Sequence, residues 1–155
     1  MGKIKCLYLK DVSIFSGIDI DSFSLICNAL KKQHMKKGEV LFNQGEKINR
    51  IFFVGEGSFK LVRVTENGDE VIIRIIRPGE VIGETSLFRD NIFSPVSAIV
   101  LEEAKICSIE RKSFEKIITG RPEIAFKIIQ DLSALLYFNW ERAAECRTTD
   151  GCVLM

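Results

Sequence analysis

Pro78-Gly79-Glu80-Val81-Ile82-Gly83-Glu84-Thr85-Ser86-Leu87-Phe88, followed a few residues later by Ser94-Pro95-Val96-Ser97-Ala98, decides how this chain is read. Pro78-Gly79 suits a tight type II turn, since proline presets the first central φ and glycine supplies the positive second one. A glycine at 83 then closes an apolar run, an acidic residue and two hydroxyls open a single helical turn, and a loop leads back to a new strand. Free backbone N–H groups at such a helix start form a cradle for an anion. Gly83 lets a ligand come close to the backbone. Glu84 can accept hydrogen bonds from a sugar hydroxyl, and Ser97 can donate to a phosphate oxygen. Simple capping by Thr85 and Ser86 is the competing reading of the same residues.

Outward from this stretch, residues 38–111 are short β-rich runs punctuated by Gly38, Gly45, Gly57, Gly68, Gly79 and Gly83. The runs are Val40–Phe42, Arg50–Val54, Ser58–Val64, Val71–Ile76, Ser97–Val100 and Lys105–Ser108. Asn67-Gly68, between two of them, predicts a two-residue type I′ hairpin, whose central positions both need positive φ. Many short strands with no helices between them predict an antiparallel barrel or sandwich.

Both ends are helical in period. Phe15, Ile18, Phe23, Ile26 and Leu30 recur at helical spacing, with Asp19 or Asp21 as a cap, so residues 1–37 read as a helical preamble. Lys31, Lys32, Lys36 and Lys37 form the clearest local charge excess, read as the solvated end of that helix and its turn, with a patch for an anionic partner as the alternative. From Lys112 the helical period returns. Ser113–Ile118 is a short helix, Gly120-Arg121-Pro122 breaks the chain, and Pro122 opens a long helix to about Cys146. That helix is apolar on more than one face (Ile124, Ile128, Ile129, Leu132, Leu135, Leu136, Phe138), so one face packs on the barrel and the other needs a second partner. The economical partner is the same helix of another copy, a homodimer through 122–146. Residues 147–155 form a tail.

The 155 residues fit one domain with a real core. A net charge of +1 gives no pull toward nucleic acid. The five cysteines, Cys6, Cys27, Cys107, Cys146 and Cys152, are widely spaced and there is one histidine, His34. That argues against a structural zinc or an iron–sulfur cluster and suggests reduced, partly buried thiols in a cytoplasmic protein. No apolar run reaches the ~20 residues that cross a bilayer. No Ser/His/Asp, Cys/His or metal-ligand set is found, so the chain is not read as an enzyme.

The order Lys37-Gly38-Glu39-Val40, Asn43-Gln44-Gly45-Glu46, Phe53-Val54-Gly55-Glu56-Gly57, Asn67-Gly68, Pro78–Glu84 and Pro95-Val96-Ser97-Ala98 resembles the cyclic-nucleotide-binding domains. It is nearest those of the catabolite-activator and oxygen-regulator (CRP/FNR) superfamily of transcription factors, and the likeness runs from about Leu7 to Ala144. The resemblance implies a mainly β fold with flanking helices. This is an antiparallel double-stranded β-helix (β-roll, a cupin-like jelly roll), with N-terminal helices and a long C-terminal dimerisation helix. It implies one sensor domain over 1–146 and a phosphate-binding cassette from Gly83 to Ala98, with Gly83, Glu84, Thr85, Ser86, Ser97 and Ala98 at the ligand. It also implies a small-molecule effector, with cyclic AMP, cyclic GMP or another small anion as candidates.

The family's phosphate-pairing arginine is expected between Pro95 and Ser97, where this chain has Val96. A buried phosphate without a fixed cation loses the stronger, charge-assisted hydrogen bonds. Arg74, inside the apolar run Val71–Ile76, either faces the ligand anion or Glu84 as a compensating cation, or lies on the outer face of the roll in solvent. Asn139 and Trp140 match the family's lid over the base. Trp140 equally suits a dimer seam. An effector sensor and a ligand-free interaction module that keeps the fold are therefore both open. A helix-turn-helix module needs another ~60 residues, so direct DNA binding is not expected of this chain alone. Cys152-Val153-Leu154-Met155 fits the C-a-a-X prenylation pattern, the one route considered to a membrane.

Overall fold

The structure is a computed structural model that describes residues 20–83, 89 and 93–146. Its elements are α1 (Ile20–Ala29), β1 (Lys31–Met35), β2 (Val40–Phe42), β3 (Arg50–Val64), β4 (Glu70–Ile76), β5 (Val81–Ile82), β6 (Ser97–Glu110), α2 (Arg111–Gly120) and α3 (Pro122–Cys146). The mainly antiparallel β architecture with flanking helices agrees with the sequence-based expectation.

Two long strands form the spine. β6 runs antiparallel to β3 from Val62 opposite Ser97 to Arg50 opposite Glu110. One half of β3 also pairs with β5 and the other half with β4. β6 likewise divides its free side between β2 and β1. Strands that change neighbours along their length pass from one layer to another, which is what rolls the sheet up. The crossing lies at Val54–Phe59, where the β3–β6 register shifts repeatedly. Gly57 sits there at φ +82°, and a Cβ on it would lie 2.2 Å from the Glu103 carbonyl oxygen. Only glycine fits a backbone this close to its neighbour.

Alternation along the spine builds two cores. Ile51 and Phe53 of β3, with Cys107 and Ile109 of β6, face Ile26 and Leu30 of α1, Phe114 and Ile118 of α2, and Ile124 and Ile128 of α3. Phe52 and Val54, with Ile106, face the interior of the roll and meet Met35, Phe42, Phe59, Ile76, Ile82 and Ala98. Strands covered on both faces read as continuous apolar runs, as Ile51–Val54 does.

The turns are local and were partly legible. Glu80 N–H bonds to Arg77 O at 3.1 Å across Pro78-Gly79, with Gly79 at φ +90°, as a type II turn requires. The Asn67-Gly68 turn differs from expectation. Gly68 N–H bonds to Thr65 O and Thr65 N–H to Asp69 O, each at 2.9 Å, closing a three-residue loop with Gly68 alone after the turn. The spacing of the flanking strands thus favours a turn followed by a left-handed glycine over the two-residue I′ form. α2 ends at Gly120 with Arg121 as its C-cap, and Pro122 opens α3 as expected.

Three further expectations are corrected. The helical preamble does not extend to residue 37, because Lys31–Met35 is a strand paired with Ala104–Ser108. Its lysines are therefore exposed on an edge strand. Arg50–Val54 and Ser58–Val64 are one strand, as are Ser97–Val100 and Lys105–Ser108, because register shifts absorb the intervening residues. The thiols are not all reduced: Cys27 is disulfide-bonded, while Cys107 is buried outside any disulfide. The Leu7–Asp19 part of the preamble and the Cys152–Met155 motif lie outside the described residues.

Candidate functional site

The site is framed by β5, β6 and the loop after β2. Gly83 follows β5 at φ +99°, and a Cβ there would sit 2.9 Å from Arg50 O and 3.8 Å from the Phe52 ring. The cassette thus leaves the roll on a backbone pressed against β3, and glycine is required both by the positive φ and by the space. Glu84, Thr85 and Ser86 lie outside the described residues.

The far end of the cassette is held by a small polar lattice. Ser94 Oγ donates to Val96 O at 2.6 Å and accepts from Val96 N–H at 3.2 Å. Ser94 N–H donates to Glu46 O, and its carbonyl accepts from Gly45 N–H. Arg63 Nη1 donates to Pro95 O at 3.3 Å. Ser97 opens β6 half-buried, and its Oγ accepts the Gln44 N–H at 2.7 Å. That bond orients the oxygen and leaves the hydroxyl proton as the donor it can offer. Gln44 also clamps β3, accepting from Val64 N–H at 2.8 Å through Oε1 and donating to Val64 O through Nε2 at 3.4 Å. Sequence reasoning quoted Gln44 without giving it a role. Its position beside the Gly45 turn was the available signal.

Val96 is half-buried and packs against the interior core of the roll. Ala98 is fully buried in that core, opposite Phe42 and Leu61, so its side chain serves packing. Arg74 lies opposite Leu61 on β4, half-buried, and its Nη2 meets Glu80 Oε2 at 2.6 Å. Glu80 Oε1 accepts the Arg77 N–H at 2.8 Å. The Pro78-Gly79 turn therefore folds the carboxylate back onto the guanidinium, a partner that the sequence reading did not select. A short, partly shielded Arg–carboxylate contact is among the stronger ion pairs, although its exposure limits its net worth.

Asn139 and Trp140 lie in the C-terminal half of α3, and both are exposed, Trp140 to 70%. The helix is anchored to the roll by Ile124 and Ile128, near its start. Two surface concavities beside α2 are lined by Asn49, Glu110, Arg111 and Lys112, and by Lys112, Glu115, Lys116 and Thr119. Neither includes Arg74, Ser97, Asn139 or Trp140. Among the described residues no group of three His, Cys, Asp or Glu side chains could hold a metal ion. No described helix is long and apolar enough to cross a membrane.

The described residues thus form a rolled antiparallel sheet with a long helix leaving one end, a β-roll with flanking helices. The sequence profile of the cyclic nucleotide-binding domain matches residues 32–121, and the chain belongs to that family. It is 28% identical over 111 residues to the potassium channel SKOR of Arabidopsis thaliana, covering 72% of this chain and 13% of the channel. It is 26% identical over 142 residues to the CRP-like cAMP-activated global transcriptional regulator of Mycobacterium tuberculosis, covering 92% of this chain and 63% of the regulator. The chain thus spans less than two thirds of either relative. Its fold is like that of the sensor domain of the transcriptional regulator DNR from Pseudomonas aeruginosa, with a TM-score of 0.77 over 99% of this chain and 98% of that one at 18% identity.

Proposed function

We propose that residues 1–146 form an effector-sensing domain of a CRP/FNR-type regulator or of another cytoplasmic signalling protein, and that its effector is not cyclic AMP or cyclic GMP. Val96 carries this reading. The position expected to hold the cation for a cyclic phosphate bears a half-buried aliphatic side chain packed on the roll's core. Arg74 is not reserved for a ligand phosphate, because Glu80 shares its guanidinium. A singly charged phosphate entering here loses its water and gains no cation of its own. Gly83, the Ser97 hydroxyl and, by family resemblance, Glu84, Thr85 and Ser86 still offer hydrogen bonds suited to a sugar-like or otherwise neutral effector. The relatives that are transcription regulators support a signalling output through a second domain or partner.

Titration calorimetry of the full chain with cyclic AMP and cyclic GMP tests the reading. No saturable binding is expected below the millimolar range. Val96→Arg is expected to confer binding at least about tenfold tighter, through the charge-assisted hydrogen bonds it adds. Micromolar binding by the unaltered chain that is lost in Arg74→Ala would overturn it.

The exposed flank of α3, with Phe126, Ile129, Leu136 and Trp140 at helical spacing, supports association of two copies through 122–146. A second reading, a ligand-free interaction module, is favoured by the same flank and by the solvent exposure of Asn139 and Trp140. In that case neither cyclic nucleotides nor a neutral effector library would shift the melting temperature.

A further inference from the structure

Two strands end the sheet path β1-β6-β3-β4, and their edges are unlike. β1 carries Lys31, Lys32, Gln33 and His34, all exposed. Charged edges of this kind keep other strands away. β4 carries Val71, Ile72 and Ile73 in succession, all exposed, Ile72 to 55%. Among the described residues its ladder runs to β3 alone, so its outer row of backbone donors and acceptors has no strand beside it. A register shift leaves Ile73 without an opposite residue on β3. Such a shift often serves to turn an edge away from partners, but here the extra residue is apolar rather than lysine or proline.

We propose that β4 is an association edge that pairs antiparallel with β4 of a second copy, about a two-fold axis through Ile72. The charge pattern selects this occupant. In that register Ile72 faces its own copy, Val71 faces Ile73, and Glu70 faces Arg74 at both ends. Glu70 is half exposed and its present partner, Lys60, is 3.4 Å away. Arg74 binds Glu80 through Nη2, and with five N–H donors its guanidinium would be shared by Glu70 of the second copy with the partners it already has. Opposite charges across a strand pair stabilise it and like charges weaken it. A parallel pairing in register would instead set Glu70 against Glu70 and Arg74 against Arg74. The self-complementary pattern, apolar centre and paired ends make the contact isologous. This inference is separate from the effector reading and from the α3 contact.

The test uses the full chain carrying Phe126→Glu and Ile129→Glu, which removes association through α3. Sedimentation on the order of tens of micromolar is expected to give a dimer, with Ile72→Lys converting it to monomer. Because Ile72 is exposed, the melting temperature should move by no more than about 2 °C. In the antiparallel register opposite Cα atoms stand about 4.5–5.5 Å apart, within disulfide reach, whereas the two copies of Val71 stand about 8 Å apart. Ile72→Cys should therefore cross-link under mild oxidation at least about tenfold faster than Val71→Cys. A monomer before Ile72 is changed, a dimer indifferent to Ile72→Lys, or equal cross-linking at the two positions each overturns the proposal.

Discussion

Gly57 and Gly68 both stand at positive φ, near +82° and +87°, yet they carry different burdens. A methyl on Gly68 meets nothing within 4 Å, so Gly68→Ala incurs only the left-handed backbone penalty, about 1 kcal/mol. A methyl on Gly57 would collide with Glu103 O and the Ala104 Cα, so overpacking adds to the same penalty and the total reaches about 3 kcal/mol or more. Thermal melting should separate them, with losses of about 3 °C for Gly68→Ala and about 10 °C for Gly57→Ala. Equal losses would mean that β3 and β6 part easily at the crossing. Residue identity also limits what sequence alone could say about the site. Val96 was legible as a departure from the family pattern. The clamp by Gln44 and the capture of Arg74 by Glu80 were not, because neither follows from strand periodicity. Gln44 reaches Val64 and Ser97 from a distant loop, and Glu80 reaches Arg74 only once the Pro78-Gly79 turn is made.

At the scale of elements, α3 has two sides. Ile128 is buried against α1, α2 and the spine, whereas its neighbour Ile129 is exposed. Ile128→Ala should cost about 2–5 kcal/mol of fold stability in denaturant titrations. Ile129→Ala should change the stability of a monomer by less than about 0.5 kcal/mol. If two copies meet through α3, Ile129→Ala lowers the dimer fraction in sedimentation while leaving the denaturation slope unchanged. An unchanged sedimentation profile would remove α3 as the contact. The two-sided apolar pattern of this helix was readable because one barrel can cover only one stripe. β1 was not readable. Lys31-Lys32-Gln33-His34 has no apolar alternation, and four of its five residues are exposed. It is a strand because β6 offers a partner edge, a nonlocal cause that a local window does not contain. The same holds for the unbroken length of β3 and β6, whose glycines and polar residues resemble ends when read alone and become bends once the strands pair.

For the molecule as a whole, the two cores share one spine. Side chains of β3 and β6 point alternately to the helices and to the roll, so movement of the helices and movement at the cassette act on the same two strands. Any effector that binds one helix arrangement better than another shifts the population by that difference in affinity. The paired spine also sets the order in which the chain can assemble. Its ladder joins segments far apart in sequence, from Val62 with Ser97 at the near end to Arg50 with Glu110 at the far end. Closing the shorter loop costs less chain entropy, so the β3–β4 hairpin and the Val62–Ser97 end form first and the ladder zips toward Glu110. Folding dominated by such distant pairings is slow, in the millisecond-to-second range. Pulsed hydrogen exchange during refolding should therefore protect the amides of Phe59 to Val62 before those of Ile51 and Phe53. The helical core, whose strand residues come from the far end, would then be the last part of the molecule to become dry.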